Sequence, residues 1–312
     1  MAERRILDPV GEIPLPAHHG SGGFDHAAVH QPRRQLYVAH TANNVLDVID
    51  CEAAKYLRSI PHLEAVAGAL VSEEHDRVFT SNRGENTVGI FAADREEALT
   101  KIPVGVKPNG LAYDPGRGLL LAANVGDPST PGSFTVSVVD VSTRAMIAAI
   151  PVPGRTRWTV FDAEAGCFYV NIAHPAQIVL VESANPGRVA RTFSVSAIGP
   201  HGLDLDAATR RLFCACDDGT LLVLDARSGI ELARAELAGA PDVIFFNPAR
   251  RHLYVAIGDP GLIEVFETDG RRRVETIRTE AGAHTLGFDQ THHTVYAFLP
   301  DSHRALVFQD RG

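Results

Sequence analysis

The amino-acid sequence predicts an all-β fold, a single seven-bladed β-propeller of four-stranded antiparallel blades that spans residues 1–312. Three observations predict it. One strand-turn-strand unit recurs seven times, its period is close to 42 residues, and no stretch carries the long 3.6-residue apolar periodicity of a helix. A unit of this size cannot bury its own apolar face, so neighbouring copies must pack together. Four short strands per unit are typical of a propeller blade.

The repeat is clearest at the third strand of each unit, which ends 42 to 48 residues after its predecessor. These strand ends are Asp50, Ala92, Asp140, Glu182, Asp225, Glu267 and Asp310. The longest interval contains Val125–Phe134, a segment rich in Gly, Pro and Ser that we interpret as an extended loop. Seven copies of one unit therefore account for the chain.

The last unit lacks a fourth strand, because two residues follow its third strand. The segment Gly11–Pro16 resembles the fourth-strand segments Thr100–Gly105 and Ala149–Gly154. We therefore predict that a strand at about residues 9–16 completes blade seven. This closure would pair an exposed strand edge and tie the ring shut.

Composition and charge exclude several classes of function. The formal net charge of -9 opposes nucleic acid, and the one basic run, Arg271–Arg273, follows a predicted turn at Asp269–Gly270. No apolar stretch reaches the ~18 residues of a membrane span, and no secretory signal begins the chain, so we expect a cytoplasmic protein without a membrane partner. Neither a Walker loop nor a dinucleotide Gly motif is present, which predicts no nucleotide cofactor.

Several segments resemble the YVTN-repeat β-propellers, in particular the YncE-like group. They are Leu36–Asp50, Thr80–Phe91, Lys107–Pro115 and Cys216–Asp225. The likeness covers nearly the whole chain and implies the seven-bladed fold. It leaves function open, because the repeats record blade architecture and members of the family include binding proteins.

A candidate site follows from the position just before the first strand of each blade, which should surround one end of the central channel. Alignment on the Gly-Leu-Ala-Tyr-Asp pattern of copy three gives His26, Ala67, Asn109, Arg157, His201, Asp242 and His284. Since 14 of the 312 residues are His, seven random positions would hold less than one. Blades five, six, seven and one are consecutive, so three imidazoles and one carboxylate should share one arc.

This arc suits one divalent transition metal, Zn, Fe, Mn or Cu, held by His26, His201, His284 and Asp242. The metal would activate water or a carbonyl group, with Asp242 as a fourth ligand or general base. Arg157 and Asn109 would bind a small-molecule substrate, and Arg157 would grip its carboxylate. His40, at the end of a second strand, is a further substrate-binding candidate in a deeper layer.

Two functions remain open at this point. The first is a metal-dependent hydrolase of the lactonase type, or a lyase, because the site is similar to channel metal sites of streptogramin lyases and gluconolactonase-type propellers. Those sites use Glu and Asn more than three His. The alternative is a non-catalytic propeller that binds a small ligand, including an anionic one without metal, or a protein partner. Polar residues that do no more than hold ordered water are a third reading.

Overall fold

A computed structural model describes residues 5–268 and 272–312 and shows seven four-stranded antiparallel sheets. The first strands of neighbouring blades contact one another around the whole ring, so they line the central axis. Apart from one 3₁₀ turn, Thr41–Asn43, the regular structure of the described residues is all strand. The predicted all-β seven-bladed propeller is thereby confirmed.

The strands follow the chain in order, and each blade runs from the axis outwards. Blade one is β2 (Ala27–His30), β3 (Gln35–His40), β4 (Val45–Asp50) and β5 (Lys55–Ile60). Blade two is β6 (Val66–Ser72), β7 (Arg77–Asn82), β8 (Thr87–Ala92) and β9 (Arg95–Pro103). Blade three is β10 (Pro108–Asp114), β11 (Leu119–Asn124), β12 (Thr135–Asp140) and β13 (Ala145–Pro151).

The remaining complete blades repeat this arrangement. Blade four is β14 (Thr156–Asp162), β15 (Cys167–Ile172), β16 (Gln177–Glu182) and β17 (Arg191–Ser194). Blade five is β18 (Pro200–Asp206), β19 (Arg211–Cys216), β20 (Thr220–Asp225) and β21 (Glu231–Glu236). Blade six is β22 (Pro241–Asn247), β23 (His252–Ile257), β24 (Leu262–Glu267) and β25 (Arg272–Arg278). The predicted turn at Asp269–Gly270, with Arg271, lies outside the described residues.

Blade seven is assembled from both ends of the chain, as predicted. It consists of β26 (Thr285–Asp289), β27 (Thr294–Leu299), β28 (Arg304–Asp310) and, outermost, β1 (Leu7–Pro14). Leu7 pairs with Asp310 and Pro14 with Arg304, so β1 covers the full length of β28. The observed strand begins and ends two residues earlier than the sequence suggested.

Blade packing is set by one repeated core position, the third residue of every second strand. These residues are Tyr37, Phe79, Leu121, Tyr169, Phe213, Tyr254 and Tyr296, and none is more than 1% exposed. Large side chains at this position fill the space between neighbouring blades, and burying each one contributes roughly 1.5–3 kcal/mol. Buried ion pairs add to these contacts: Arg210 of blade five binds Asp162 of blade four through both guanidinium ends.

No helix in the described part of the chain has the length and apolar composition needed to cross a bilayer. The segment 125–134 is a loop between β11 and β12, as predicted from its composition. It is nonetheless ordered by its own side chains, since Ser133 accepts a hydrogen bond from the Asp127 amide and donates one to its carbonyl.

Candidate functional site

The first strands all begin at one face of the propeller, where one side chain from each blade surrounds the axis. The structure places seven residues at this position, which we call the polar ring: Asp25, Ala67, Asn109, Arg157, His201, Asp242 and His284. The next residue of each blade forms an inner layer below it: His26, Gly68, Gly110, Trp158, Gly202, Val243 and Thr285. The first strands lie very close here, since a Cβ on Gly202 would be 2.4 Å from the Asp242 carbonyl oxygen.

The structure corrects the sequence alignment in blade one, where Asp25 and not His26 occupies the ring position. The amide of His26 donates to the carbonyl of Ala67 in the next blade at 3.0 Å. The equivalent bond in blade six joins the Val243 amide to the His284 carbonyl at 3.4 Å, and Val243 belongs to the inner layer. His26 stands where blades two, three and five have Gly, so blade one lacks the glycine on which the sequence alignment relied.

His201 is held by carboxylates on both sides of its ring. Its Nδ1 lies 2.7 Å from Asp217 Oδ1, and its Nε2 lies 3.2 Å from Asp242 Oδ1 and 3.1 Å from Arg157 Nη1. Burial alone would lower the pKa of His201, but Asp242 and Asp217 outweigh it and raise the pKa to about 9. The two carboxylates therefore favour the imidazolium form at neutral pH, against the nearby charge of Arg157.

Asp242 connects the histidines of the arc. Burial would raise its pKa, but the adjacent His201 cation and its contact with Asp242 outweigh burial and lower the pKa below its usual range. Its Oδ2 lies 4.0 Å from His284 Nε2. His284 Nδ1 lies 2.7 Å from the Gly282 carbonyl, which can only accept a hydrogen bond, so Nδ1 carries a proton and the Nε2 lone pair is available in the neutral ring. His201, Asp242 and His284 thus meet, as the sequence register predicted.

Three arginines crowd the other side of the ring. Arg83 donates to Asn109 Oδ1 at 2.7 Å and to Asp25 Oδ2 at 3.2 Å. Arg155, just before β14, makes no hydrogen bond or ion pair through its guanidinium with any described residue. Desolvation lowers the pKa of Arg155, and the positive charges of Arg157 and Arg83 lower it further. Arg155 is therefore an exposed cation beside two others, and the carboxylates that act on it, Asp217 and Asp242, do so without a direct ion pair.

His26 and Trp158 form a floor beneath the ring. Their ring centroids are 4.0 Å apart, and Trp158 also meets the edge of Phe245 at 6.4 Å. His26 Nε2 lies 3.3 Å from Asp25 Oδ1. Burial dominates the proton equilibrium of His26 and lowers its pKa, so the imidazole is neutral at pH 7. This contact joins blades one and four across the axis, beneath the polar ring.

His40, predicted to bind substrate, is fully buried between blades seven and one. Its Nδ1 lies 2.7 Å from Asp47 Oδ2, and its ring packs against Phe24 and His18 at 4.5 and 4.8 Å between centroids. None of its described contacts is with a residue of the polar ring. His40 therefore packs the segment between β1 and β2, through His18 and Phe24, onto blade one.

The predicted metal ligands can be tested against their contacts. In residues 5–268 and 272–312, no three His, Cys, Asp or Glu side chains are arranged to hold a metal ion. His201 fits poorly as a ligand, because a protonated imidazole has no lone pair and both nitrogens already face carboxylates. Asp242 and the Nε2 atom of His284 have the donor chemistry a divalent metal needs.

Four residues of this face were missed by sequence reasoning: Asp25, Arg83, Arg155 and Asp217. Arg83 and Asp217 each directly follow the second strand of their blade. This turn lies at the same face as the start of the first strand, so aligning it as a second ring position would have found both. Arg155 lies two residues before Arg157 and was detectable as part of a basic pair.

Comparison with known proteins agrees with the fold and leaves the family open. No family model matches the chain. Protein NirF of Pseudomonas aeruginosa is 23% identical over 325 residues, which covers 97% of this chain and 82% of NirF. Hydrazine synthase of Kuenenia stuttgartiensis has a chain that superposes with a TM-score of 0.83 at 12% identity, covering 95% of this chain and 98% of that one. The likeness to YVTN-repeat propellers stays a prediction.

Proposed function

We propose that the polar ring binds a small anionic molecule bearing carboxylate groups. The observation that carries this proposal is the exposed guanidinium of Arg155, which has no direct ion pair and lies near Arg83 and Arg157. Arg83 is paired with Asp25 and Arg157 with Asp217, so Arg155 is the arginine left to meet a ligand. Clustered positive charges repel one another, and an anion bound beside Arg155 would relieve the repulsion that Asp25 and Asp217 leave uncompensated. A carboxylate is the natural occupant, because the planar fork of Arg matches its two oxygens.

Further donors support the same ligand class. The Nε atoms of Arg83 and Arg157 are buried without a described partner, so both arginines retain hydrogen-bonding capacity. His201 adds a fixed positive charge at neutral pH, while Asp217 and Asp242 hold it in position. The cations are therefore preorganised, which reduces the entropy lost on binding.

The pKa values favour binding over acid-base catalysis. Because the pKa of Asp242 is lowered, its carboxylate is a weak base at neutral pH. His201 is protonated at neutral pH, so it has no lone pair with which to accept a proton, and Asp242 and Asp217 hold it in that form. A ligand-binding role therefore accounts for the ring better than the predicted role of Asp242 as a general base.

Calorimetric titration with tricarballylate, which carries three carboxylates, tests the proposal. We expect saturable binding to the wild-type chain and a loss of at least about tenfold in affinity for Arg155→Gln, because a charge-assisted hydrogen bond contributes about 1.5–3 kcal/mol. Arg95→Gln, which removes a well-exposed arginine of β9, is the matched control and should bind like wild type. No wild-type binding, or equal loss in both variants, would overturn the proposal.

A second candidate is metal-dependent hydrolysis of the lactonase type, or lyase chemistry, at the same ring. Its support is the Nε2 lone pair of His284 facing Asp242. Elemental analysis of the purified protein beside His201→Ala and His284→Ala tests it. One Zn, Fe, Mn or Cu per chain in wild type, lost from both variants, would establish the metal, and metal-free wild-type protein would eliminate this candidate.

A further inference from the structure

The central channel contains a second cavity, separate from the polar ring. It has a volume of about 1,050 Å³ and extends from His26 and Trp158 to the turns that follow the first strands on the opposite face. Glu73, Ala207 and Pro248 stand at that end and are exposed to solvent. Of the polar ring residues, none lines this cavity. His26 and Trp158 are thus the lining residues nearest the polar ring.

Aromatic side chains form much of the cavity wall: Tyr113, Trp158, Phe161, Phe245 and Phe288. Phe245 meets both Trp158 and Phe288, at 6.4 and 6.2 Å between centroids, so a continuous aromatic surface runs down one side. Small and branched residues such as Ala112 and Val160 complete the lining. A planar aromatic molecule is the shape this surface accommodates best.

The ionisable groups of the lining select the charge of that molecule. Asp204 lies in the wall, where the amides of Leu205 and Phe246 both donate to its carboxylate at 2.7 Å and fix its orientation. Glu73 and Glu74 stand at the open end, and no Lys or Arg lines the cavity within the part of the chain that the structure describes. The lining therefore offers negative charge without compensation from a basic side chain.

We propose that this cavity binds a planar aromatic cation. The positive charge would lie near the Asp204 carboxylate, while the ring system stacks on Trp158 or Phe245, both of which also attract cations through their π faces. The site is independent of the anion-binding function proposed for the polar ring. The two ends of the axis then have opposite charge preferences.

Three bicyclic probes of similar shape test the proposal at pH 8: 1-methylquinolinium (+1), quinoline (0) and 2-naphthoate (-1). Binding is measured by calorimetry on the full chain, and Trp158 emission reports occupancy because it is the only tryptophan. Burial raises the pKa of Asp204 to about 6, so its carboxylate is ionised at this pH. We expect the cation to bind at least about tenfold more tightly than 2-naphthoate, with quinoline between them.

Two variants locate the charge preference. Asp204→Asn should remove most of the advantage of the cation over quinoline, and the double change Glu73→Gln with Glu74→Gln, at an exposed rim, should reduce it without risk to the fold. Asp94→Asn, which changes an exposed carboxylate on blade two, is the control and should change nothing.

Quinoline binding with no preference for the cation would overturn the proposal, as would absence of binding by all three probes. Arg155→Gln should leave binding of the cation unchanged, which separates this site from the polar ring.

Discussion

Replacing His201 by Gln removes a buried cation that two carboxylates stabilise, and the loss should depend on pH. The pKa of His201 is raised from 6.5 to about 9, and each tenfold gain in proton affinity is worth about 1.4 kcal/mol. The contribution to the free energy of unfolding is therefore about 3 kcal/mol at pH 6. The lowered pKa values of Asp217 and Asp242 describe the same contacts and are not counted again.

The sign follows from the direction of the shift. Because the folded-state pKa lies above the unfolded value, the stabilisation is complete below pH 6.5 and is lost as the pH rises to about 9. Urea unfolding of wild type and His201→Gln between pH 6 and 9.5 should show a difference that shrinks across this window. The control His19→Gln changes an exposed histidine and should give a small, constant difference.

An NMR titration of the His201 ring protons provides a direct check. A midpoint near 9 would show that His201 is an imidazolium at neutral pH and not a metal ligand. A midpoint at or below 6.5, or an unfolding difference that stays constant with pH, would refute the reasoning.

Two further predictions concern stability. Deleting residues 1–15 removes β1 (Leu7–Pro14) and leaves β28 (Arg304–Asp310) as an open sheet edge. The shortened chain should therefore melt at a lower temperature, and light scattering should show aggregation that increases with protein concentration. An unchanged melting curve would argue against closure by β1. Arg210→Ala leaves Asp162 buried without its counter-ion and should lower the free energy of unfolding, measured in urea, by about 3–5 kcal/mol. The control Arg234→Ala removes an exposed ion pair and should have little effect. Equal losses in the two variants would contradict the importance of burial.

The fold was predictable because each blade carries its own signals. The third strands end at the residues the repeat indicated, from Asp50 to Asp310, since turns and apolar alternation are encoded over a few neighbouring residues. Closure by an N-terminal strand was predictable from the missing fourth strand of blade seven. Its boundary was two residues off because fraying strand ends leave little mark in a sequence.

The site was only partly predictable. The register of the repeat predicted that His201, Asp242 and His284 lie together, because equivalent positions of a propeller converge on its axis. It misplaced His26 by one residue: Asp25 is the ring residue of blade one, and His26 occupies the inner-layer position that is Gly in blades two, three and five. The contact between His26 and Trp158 is made across the axis between distant blades, and no local pattern encodes such a contact.

The pairing of β1 with β28 also bears on how the chain assembles during synthesis. Leu7 is synthesised early, but its pairing partner Asp310 leaves the ribosome only after almost the whole protein has been made. Joining ends about 300 residues apart costs roughly 2 kcal/mol more loop-closure entropy than closing one 42-residue unit. Six blades can therefore form while β1 is still unpaired, and the ring closes only after β28 has been synthesised.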